Sequence, residues 1–255
     1  QLVGVTTVRG TRFDDTMRGG PGRASFSGLG GHDVLEAIDP ADPNGVSLSG
    51  GRGNDILRGS AGDDSLSGGP GTDLLLGFDG DDDLRGGERR DELDGGNGRD
   101  SISFSDSPGP MVINLSTSKA FGPSADVFAN IEDAFGSRGD DQITGTAEPN
   151  YLVGLAGDDV IHGRAGDDTI RGWPGNDLIY AGFGADYVDG EAGNDVIYGG
   201  AGPDMLRGGP DDDLVFGGQQ DDTLVGVAGS DTLDGGPHFD TCKQAATYIS
   251  CELIL

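Results

Sequence analysis

Residues 190–216 read GEAGNDVIY, GGAGPDMLR and GGPDDDLVF, which are three consecutive units of nine residues built on one plan. Each unit opens with a glycine, has aspartate at its sixth position and has an apolar residue at its eighth. We number the positions of every unit from that first glycine. A period this strict predicts a solenoid, in which each repeat stacks on its neighbours.

The same plan extends over most of the 255 residues. One block of units covers residues 10–103, with a slip at 37–40, and a second block runs in one register over 136–243. One apolar residue per unit is too sparse for the stripe of an α-helix but suits a short strand. Two units, each a glycine-rich turn and a strand, then form one coil of about 18 residues. The predicted fold is an all-β parallel solenoid.

The charge balance favours cations as partners. The chain has 45 acidic and 16 basic side chains, and its formal net charge is −29. Nucleic acids and anionic membranes need a basic surface, so neither is expected as a partner. No apolar run approaches the roughly 18 residues of a membrane span.

The aspartates at position 6 predict metal sites. In stacked coils, residues one coil apart lie about 4.8 Å from each other, which places Asp55 over Asp73 and Asp64 over Asp82. Two such carboxylates repel, whereas a divalent cation between the turns would attract both. Calcium is the best candidate because it accepts six or more oxygens in loose geometry. Three units have another residue at position 6, namely Ala24, Val46 and Asn150. The predicted calcium ligands are the position-6 aspartates of the other units: Asp15, Asp33, Asp55, Asp64, Asp73, Asp82, Asp91, Asp100, Asp141, Asp159, Asp168, Asp177, Asp186, Asp195, Asp204, Asp213, Asp222, Asp231 and Asp240.

Several units match the pattern GGxGxDxUx, in which U is a large apolar residue, most clearly GGRGNDILR at 50–58 and GGPGTDLLL at 68–76. With these motifs the chain resembles the RTX, or haemolysin-type, calcium-binding repeat proteins of bacteria. The resemblance implies a parallel β-roll in which position-6 aspartates and turn carbonyls hold several Ca²⁺ ions between turns. It also implies a secreted, extracellular protein that folds after export. Weak or empty sites are expected where the motif breaks, at Arg89, Asp211, Gln220, His238 and Glu148–Asn150.

Calcium binding and folding are expected to be one event. One large apolar side chain in nine residues buries little apolar surface. The free energy gained by that burial is small compared with the cost of ordering the backbone. Metal binding then contributes directly to folding.

The repeat is interrupted over residues 104–135. Residues 111–115 alternate like a strand, and the Asn-Ile-Glu segment at 130–132 resembles the insert that breaks such arrays in this family. We expect a β-hairpin on the flank of the solenoid. The predicted segments are a first repeat block (1–103), the insertion (104–135), a second repeat block (136–241) and a C-terminal cap (242–255).

The two cysteines, Cys242 and Cys251, both follow the last repeat. We predict a disulfide between them that covers the exposed final coil and indicates an oxidising compartment. The tail resembles the endings of many such repeat proteins, so export through a cleaved signal is expected.

No catalytic motif of the types HExxH, GxSxG or GxxxxGK[ST] is present, so no enzyme activity is predicted. Two functions stay open. The first is a monomeric calcium-binding protein with a structural or adhesive role, with a cell-surface or matrix polymer as partner. The alternative is a non-catalytic module of an extracellular polysaccharide- or protein-processing enzyme. Trp173, Tyr180, Tyr187 and Tyr198 could form a sugar-stacking strip, although isolated exposed aromatics are the commoner explanation.

Overall fold

Short parallel strands make up most of this protein. The structure is a computed structural model that describes residues 7–19, 25–37 and 41–254. Ala24 and the end of the slip, 38–40, lie outside the described residues. The chain divides into two units, Gln1–Ser107 with Thr117–Asp133, and Pro108–Ser116 with Ala134–Leu255.

The first unit consists of two sheets whose strands alternate along the chain. One sheet contains β1 (Thr7–Arg9), β3 (Ser25–Gly30), β5 (Ser47–Arg52), β7 (Ser65–Pro70), β9 (Asp83–Glu88) and β11 (Ser101–Ser103). The other contains β2 (Thr16–Gly19), β4 (Val34–Ala37), β6 (Ile56–Arg58), β8 (Leu74–Asp79), β10 (Glu92–Asn97), β14 (Val127–Ala129) and β13 (Lys119–Phe121).

The second unit repeats this arrangement. One sheet contains β15 (Asp133–Phe135), β17 (Tyr151–Val153), β19 (Thr169–Arg171), β21 (Tyr187–Asp189), β23 (Met205–Pro210), β25 (Thr223–Ala228), β27 (Thr241–Lys243) and β29 (Leu253–Ile254). The other contains β12 (Val112–Asn114), β16 (Gln142–Thr144), β18 (Val160–Ala165), β20 (Leu178–Phe183), β22 (Val196–Ala201), β24 (Leu214–Gln219), β26 (Thr232–Asp234) and β28 (Thr247–Ile249). A 3₁₀ turn, Leu115–Thr117, follows β12. Among the described residues no helix is long and apolar enough to cross a membrane.

The strands pair in parallel with a register of one coil, as in Leu57↔Leu75 and Ile161↔Ile179. The slip in the repeat is absorbed inside one coil, so that Leu35 pairs with Leu57 instead. The predicted all-β parallel solenoid with coils of 18 residues is confirmed, and its form fits a β-roll.

The core is a column of position-8 side chains. Leu57, Leu75, Ile161 and Ile179 are fully buried, as are most of their equivalents in other units. Each such side chain contributes roughly 1.5–3 kcal/mol by leaving water. Neighbouring positions on the short strands point outward, so the core is one side chain wide per strand.

The insertion, predicted as a flanking hairpin, is divided between the two units. It contains one antiparallel pair, Lys119↔Val127. However, β14 also extends the first unit by pairing in parallel with β10, and β12 extends the second unit by pairing with β16. The reason lies in its buried apolar residues, such as Ile113 and Phe128, which continue the core columns.

The C-terminal segment also continues the coils. Strands β28 and β29 pair in parallel with β26 and β27. A disulfide joins Cys242 to Cys251, with 6.0 Å between the Cα atoms, as predicted.

Candidate metal centre

The position-6 residues form hydrogen-bonded ladders along the turns of each unit. In each step, the backbone N–H of one residue donates to a side-chain oxygen of the position-6 residue in the next coil. Asp55 N lies 2.7 Å from Asp73 Oδ1, and Asp159 N lies 2.8 Å from Asp177 Oδ1. All the predicted aspartates take part in such a step.

All of these carboxylates except that of Asp15 are buried, although they belong to turns. Asp55, Asp73 and Asp177 are at most 2% exposed, and Asp213 is fully buried. The tight turn and the next coil together exclude water from them. Each carboxylate accepts a hydrogen bond from one N–H, which offsets part of the repulsion between stacked carboxylates. The sequence did not predict this contact.

The second carboxylate oxygen, Oδ2, has no hydrogen-bond partner in most of these residues. A buried charged oxygen without a donor or a cation is costly, so it indicates a missing positive partner. The residues concerned are Asp33, Asp55, Asp73, Asp82, Asp91, Asp100, Asp126, Asp159, Asp177, Asp186, Asp195, Asp204, Asp213, Asp222, Asp231 and Asp240.

In the regular units that begin with glycine, Oδ2 borders a small space that the position-1 glycine leaves open. A methyl group added at Gly68 would lie 2.4 Å from Asp73 Oδ2 and 2.6 Å from the carbonyl oxygen of Gly86 in the next coil. At Gly172 the corresponding distances are 2.1 Å to Asp177 Oδ2 and 2.8 Å to the next coil's carbonyl. A carboxylate oxygen and a backbone carbonyl thus face the same space from two coils.

The carboxylates are unusually basic in this environment. Burial, opposed by the N–H of Asp141 and reinforced by the nearby carboxylates of Asp177 and Asp141, raises the pKa of Asp159 to about 8. Burial likewise raises the pKa of Asp195 to about 8 and that of Asp73 to about 7. Ionising these groups at neutral pH requires a compensating positive charge.

This donor set fits a hard divalent cation. Carboxylate and carbonyl oxygens are the ligands that calcium prefers, and its coordination geometry is tolerant. Among the described residues, no three His, Cys, Asp or Glu side chains converge on one point. Each turn supplies one carboxylate per coil, so a cation there would take its remaining oxygens from the backbone.

Three acidic residues outside the regular repeat continue the ladders and were missed. Asp126 Oδ1 accepts from Asp91 N at 2.9 Å. Glu132 and Glu252 do the same for Asp100 N and Asp240 N, at 2.9 Å and 2.7 Å. Each lies two residues before a small or large apolar side chain, the spacing of positions 6 and 8, which is the signal that could have found them.

A second ladder runs through position 5, on the exposed side of the turns. Here the side-chain oxygen of one coil accepts from the N–H of the next, as in Asp140 Oδ1 with Asp158 N (3.0 Å) and Asp158 Oδ1 with Asn176 N (2.8 Å). Asp and Asn recur at position 5, which is the sequence signal that could have found this contact. The contact stabilises the turns from outside.

The units that break the motif keep the turn conformation. Arg89, Asp211, Gln220 and His238 have φ between 79° and 111°, the left-handed region that glycine adopts at position 4 of regular units. Non-glycine residues adopt it at a cost of roughly 1–2 kcal/mol each. Their position-6 carboxylates are buried like those of other units, so weak or empty sites at these turns stay a prediction.

Of the four aromatic residues in the predicted strip, Tyr180 and Tyr198 lie in one stack, whereas Trp173, in a turn, and Tyr187, on β21, lie outside it. His162, Tyr180, Tyr198 and Phe216 stack face to face on four successive coils, with centroids 4.8–5.0 Å apart. Because Tyr180 and Tyr198 each have a ring on both sides, their faces are not open for a sugar to stack on.

The chain matches the family model described as the RTX calcium-binding nonapeptide repeat (4 copies). The matched residues are 4–36, 47–75, 76–106, 135–170, 144–179, 171–206, 189–224 and 207–241. The chain therefore belongs to the RTX calcium-binding nonapeptide repeat family, as its sequence motifs predicted. The comparison with curated proteins finds no match.

Proposed function

We propose that this protein is a secreted, non-catalytic calcium-binding protein whose turns bind multiple Ca²⁺ ions between successive coils. The observation that supports the proposal most strongly is the series of buried Oδ2 atoms without a partner, repeated coil after coil. A single orphaned oxygen could be an accident of one loop. A series in register with backbone carbonyls is a periodic set of half-complete oxygen sites.

Calcium binding and folding are coupled in this proposal. The folded chain brings like-charged carboxylates together and removes water from them, which disfavours the folded state when they are ionised. A cation between two coils supplies the missing charge to both. Because the site forms only when two coils stack, the binding free energy becomes free energy of folding.

Two further features support an extracellular location. The Cys242–Cys251 disulfide is stable in an oxidising compartment. Extracellular calcium modules work with dissociation constants of roughly 10⁻⁴–10⁻³ M, a concentration range met outside cells. The role we assign is structural or adhesive, with a cell-surface or matrix polymer as partner.

Far-UV circular dichroism in excess chelator at neutral pH tests the coupling. We expect little β-structure without calcium, and a cooperative gain of β-signal when calcium is added back. Magnesium at the same concentration is the control, because it demands a tighter octahedron and keeps its waters. A complete β-signal in chelator that calcium leaves unchanged would contradict the proposal.

The adhesive role has its own test. The calcium-loaded protein is mixed with cell-envelope polysaccharide and sedimented, and the same mixture is then treated with chelator. We expect retention that chelator reverses. Protein that stays in the supernatant in calcium would rule out adhesion to this class of polymer.

A further inference from the structure

Four turns of the repeat carry serine or threonine at position 2, namely Thr11, Ser60, Ser137 and Thr146. In these turns the position-2 N–H donates to the side chain at position 6, an interaction that is missing from the described turns whose Oδ2 has no partner. Thr11 N lies 2.6 Å from Asp15 Oδ2, and Ser60 N lies 2.6 Å from Asp64 Oδ2. The other two bonds run from Ser137 N to Asp141 Oδ2 and from Thr146 N to Asn150 Oδ1.

The hydroxyl of the same residue completes the turn. Thr11 Oγ1 accepts from the position-4 N–H at 3.1 Å, and Ser137 Oγ accepts from Gly139 N at 3.1 Å. Both hydroxyls also lie within hydrogen-bond distance of the position-6 carboxylate, at 3.0 Å and 2.8 Å. Ser60 and Thr146 make the same two kinds of contact. We call these four turns closed turns.

The remaining turns differ in backbone conformation. In the other described turns, except that of Asp42, the position-2 residue has positive φ even when it is not glycine, as at Leu155 (77°), Trp173 (74°) and Val227 (97°). None of the four Ser or Thr residues has φ in that region. With position 2 in the left-handed region, its N–H no longer reaches the carboxylate, and Oδ2 has no partner at Asp159, Asp177 and Asp231. We call these open turns.

We propose that the residue at position 2 decides whether a turn takes a cation, and that a serine or threonine there closes the turn against calcium. The inference rests on the proposed function, and it identifies which turns bind calcium. In a closed turn, an N–H and a hydroxyl occupy the carboxylate that a cation would otherwise bind. A cation could enter only by breaking both bonds and turning a non-glycine residue into the left-handed region.

A second observation supports the same assignment. Residues 136–153 form one complete coil in which both turns, those of Ser137 and Thr146, are closed. The position-6 residue of the second turn is Asn150, which has no charge for a cation to neutralise. The second repeat block therefore begins with a coil whose own two turns need no cation, and the following coils can stack on it.

A matched pair of substitutions at Leu155 tests the inference. Leu155→Thr introduces a hydroxyl into the open turn of Asp159, whereas Leu155→Val has the same shape without it. Calcium bound per chain is measured on the intact protein by equilibrium dialysis at saturating calcium. We expect the valine variant to bind as many ions as the unsubstituted protein and the threonine variant to bind at least one fewer. Equal numbers in the two variants would overturn the inference.

The reverse substitution gives an independent readout. Ser60→Gly removes the hydroxyl and permits positive φ, so Asp64 can share a cation with the unpartnered Oδ2 of Asp82. We expect at least one additional ion, and none for the control Ser65→Gly on the adjoining strand. An unchanged number in Ser60→Gly would overturn the inference even if Leu155→Thr failed to fold. If the unsubstituted protein bound no calcium, the proposed function would fall as well; calcium binding with no effect of either variant refutes this inference alone.

Discussion

Without calcium, folding of this protein is expected to become favourable only as the pH falls. Burial raises the pKa of Asp73 and Asp177 to about 7, and that of Asp159 and Asp195 to about 8, from an ordinary value of 3.8. Between these values the folded chain binds more protons than the unfolded chain. Protonation therefore stabilises the folded state, and stability without calcium decreases as the pH rises.

The size of the effect follows from the shifts. A carboxyl group whose pKa rises from 3.8 to about 7 on folding destabilises the folded state by roughly 4 kcal/mol at pH 8. A few such groups together match the roughly 5–15 kcal/mol by which a domain is usually stable. The destabilisation is absent below pH 3.8, grows as the pH rises from there to the folded-state pKa, which is about 6 for Asp91 and about 8 for Asp159, and is constant above it.

The assay is far-UV circular dichroism in chelator, in steps from about pH 8.5 to about pH 4.5, with a parallel series in excess calcium. We expect β-signal to appear in the chelator series as the pH falls through about 6–7, and to stay nearly constant with calcium. A chelator series that is independent of pH, or one in which acid removes β-structure, would refute the reasoning about the buried carboxylates.

Three further predictions follow from the site and the cap. Asp195→Asn should lower the number of calcium ions bound by at least one, whereas Asp158→Asn, on the exposed ladder, should leave it unchanged; equilibrium dialysis compares them. Glu252→Ala should lower the free energy of unfolding in calcium by about 1–3 kcal/mol, because it leaves a buried N–H without an acceptor. Glu252→Gln keeps an acceptor oxygen and should retain most of that stability. Urea denaturation measures both variants, and equal losses would contradict the role of the acceptor. Replacing Cys242 and Cys251 by serine should cost roughly 2–3 kcal/mol in the same assay, and an unchanged midpoint would show that the bridge does not stabilise the last coil.

The coil and its core could be predicted because two units of the sequence repeat correspond to one coil of the fold. An apolar residue at the same place in each unit, as at Leu57 and Leu75, can only become one column when the coils stack. The neighbours of each position-6 aspartate follow from that register. The partnership of Asp33 with Asp55 was not predicted, since the slip between them breaks the period that sequence reasoning relied on.

The direction and satisfaction of individual hydrogen bonds could not be predicted in this way. Periodicity places Asp73 beside Asp55 but does not reveal that one oxygen accepts an N–H while the other has no partner. It also does not separate open from closed turns, because that difference depends on the φ of one residue and on the reach of its hydroxyl. In the insertion, Asp126 was missed because the chain returns to the ladder 35 residues after Asp91.

The number of calcium ions bound per chain tests the central claim most directly. Isothermal titration calorimetry of the chelator-treated protein, followed in parallel by circular dichroism, gives stoichiometry and coupled folding together. Adjacent coils with unpartnered Oδ2 atoms predict roughly a dozen ions per chain, taken up as β-structure forms. Two ions or fewer, or binding to a chain that is already folded, would contradict the account.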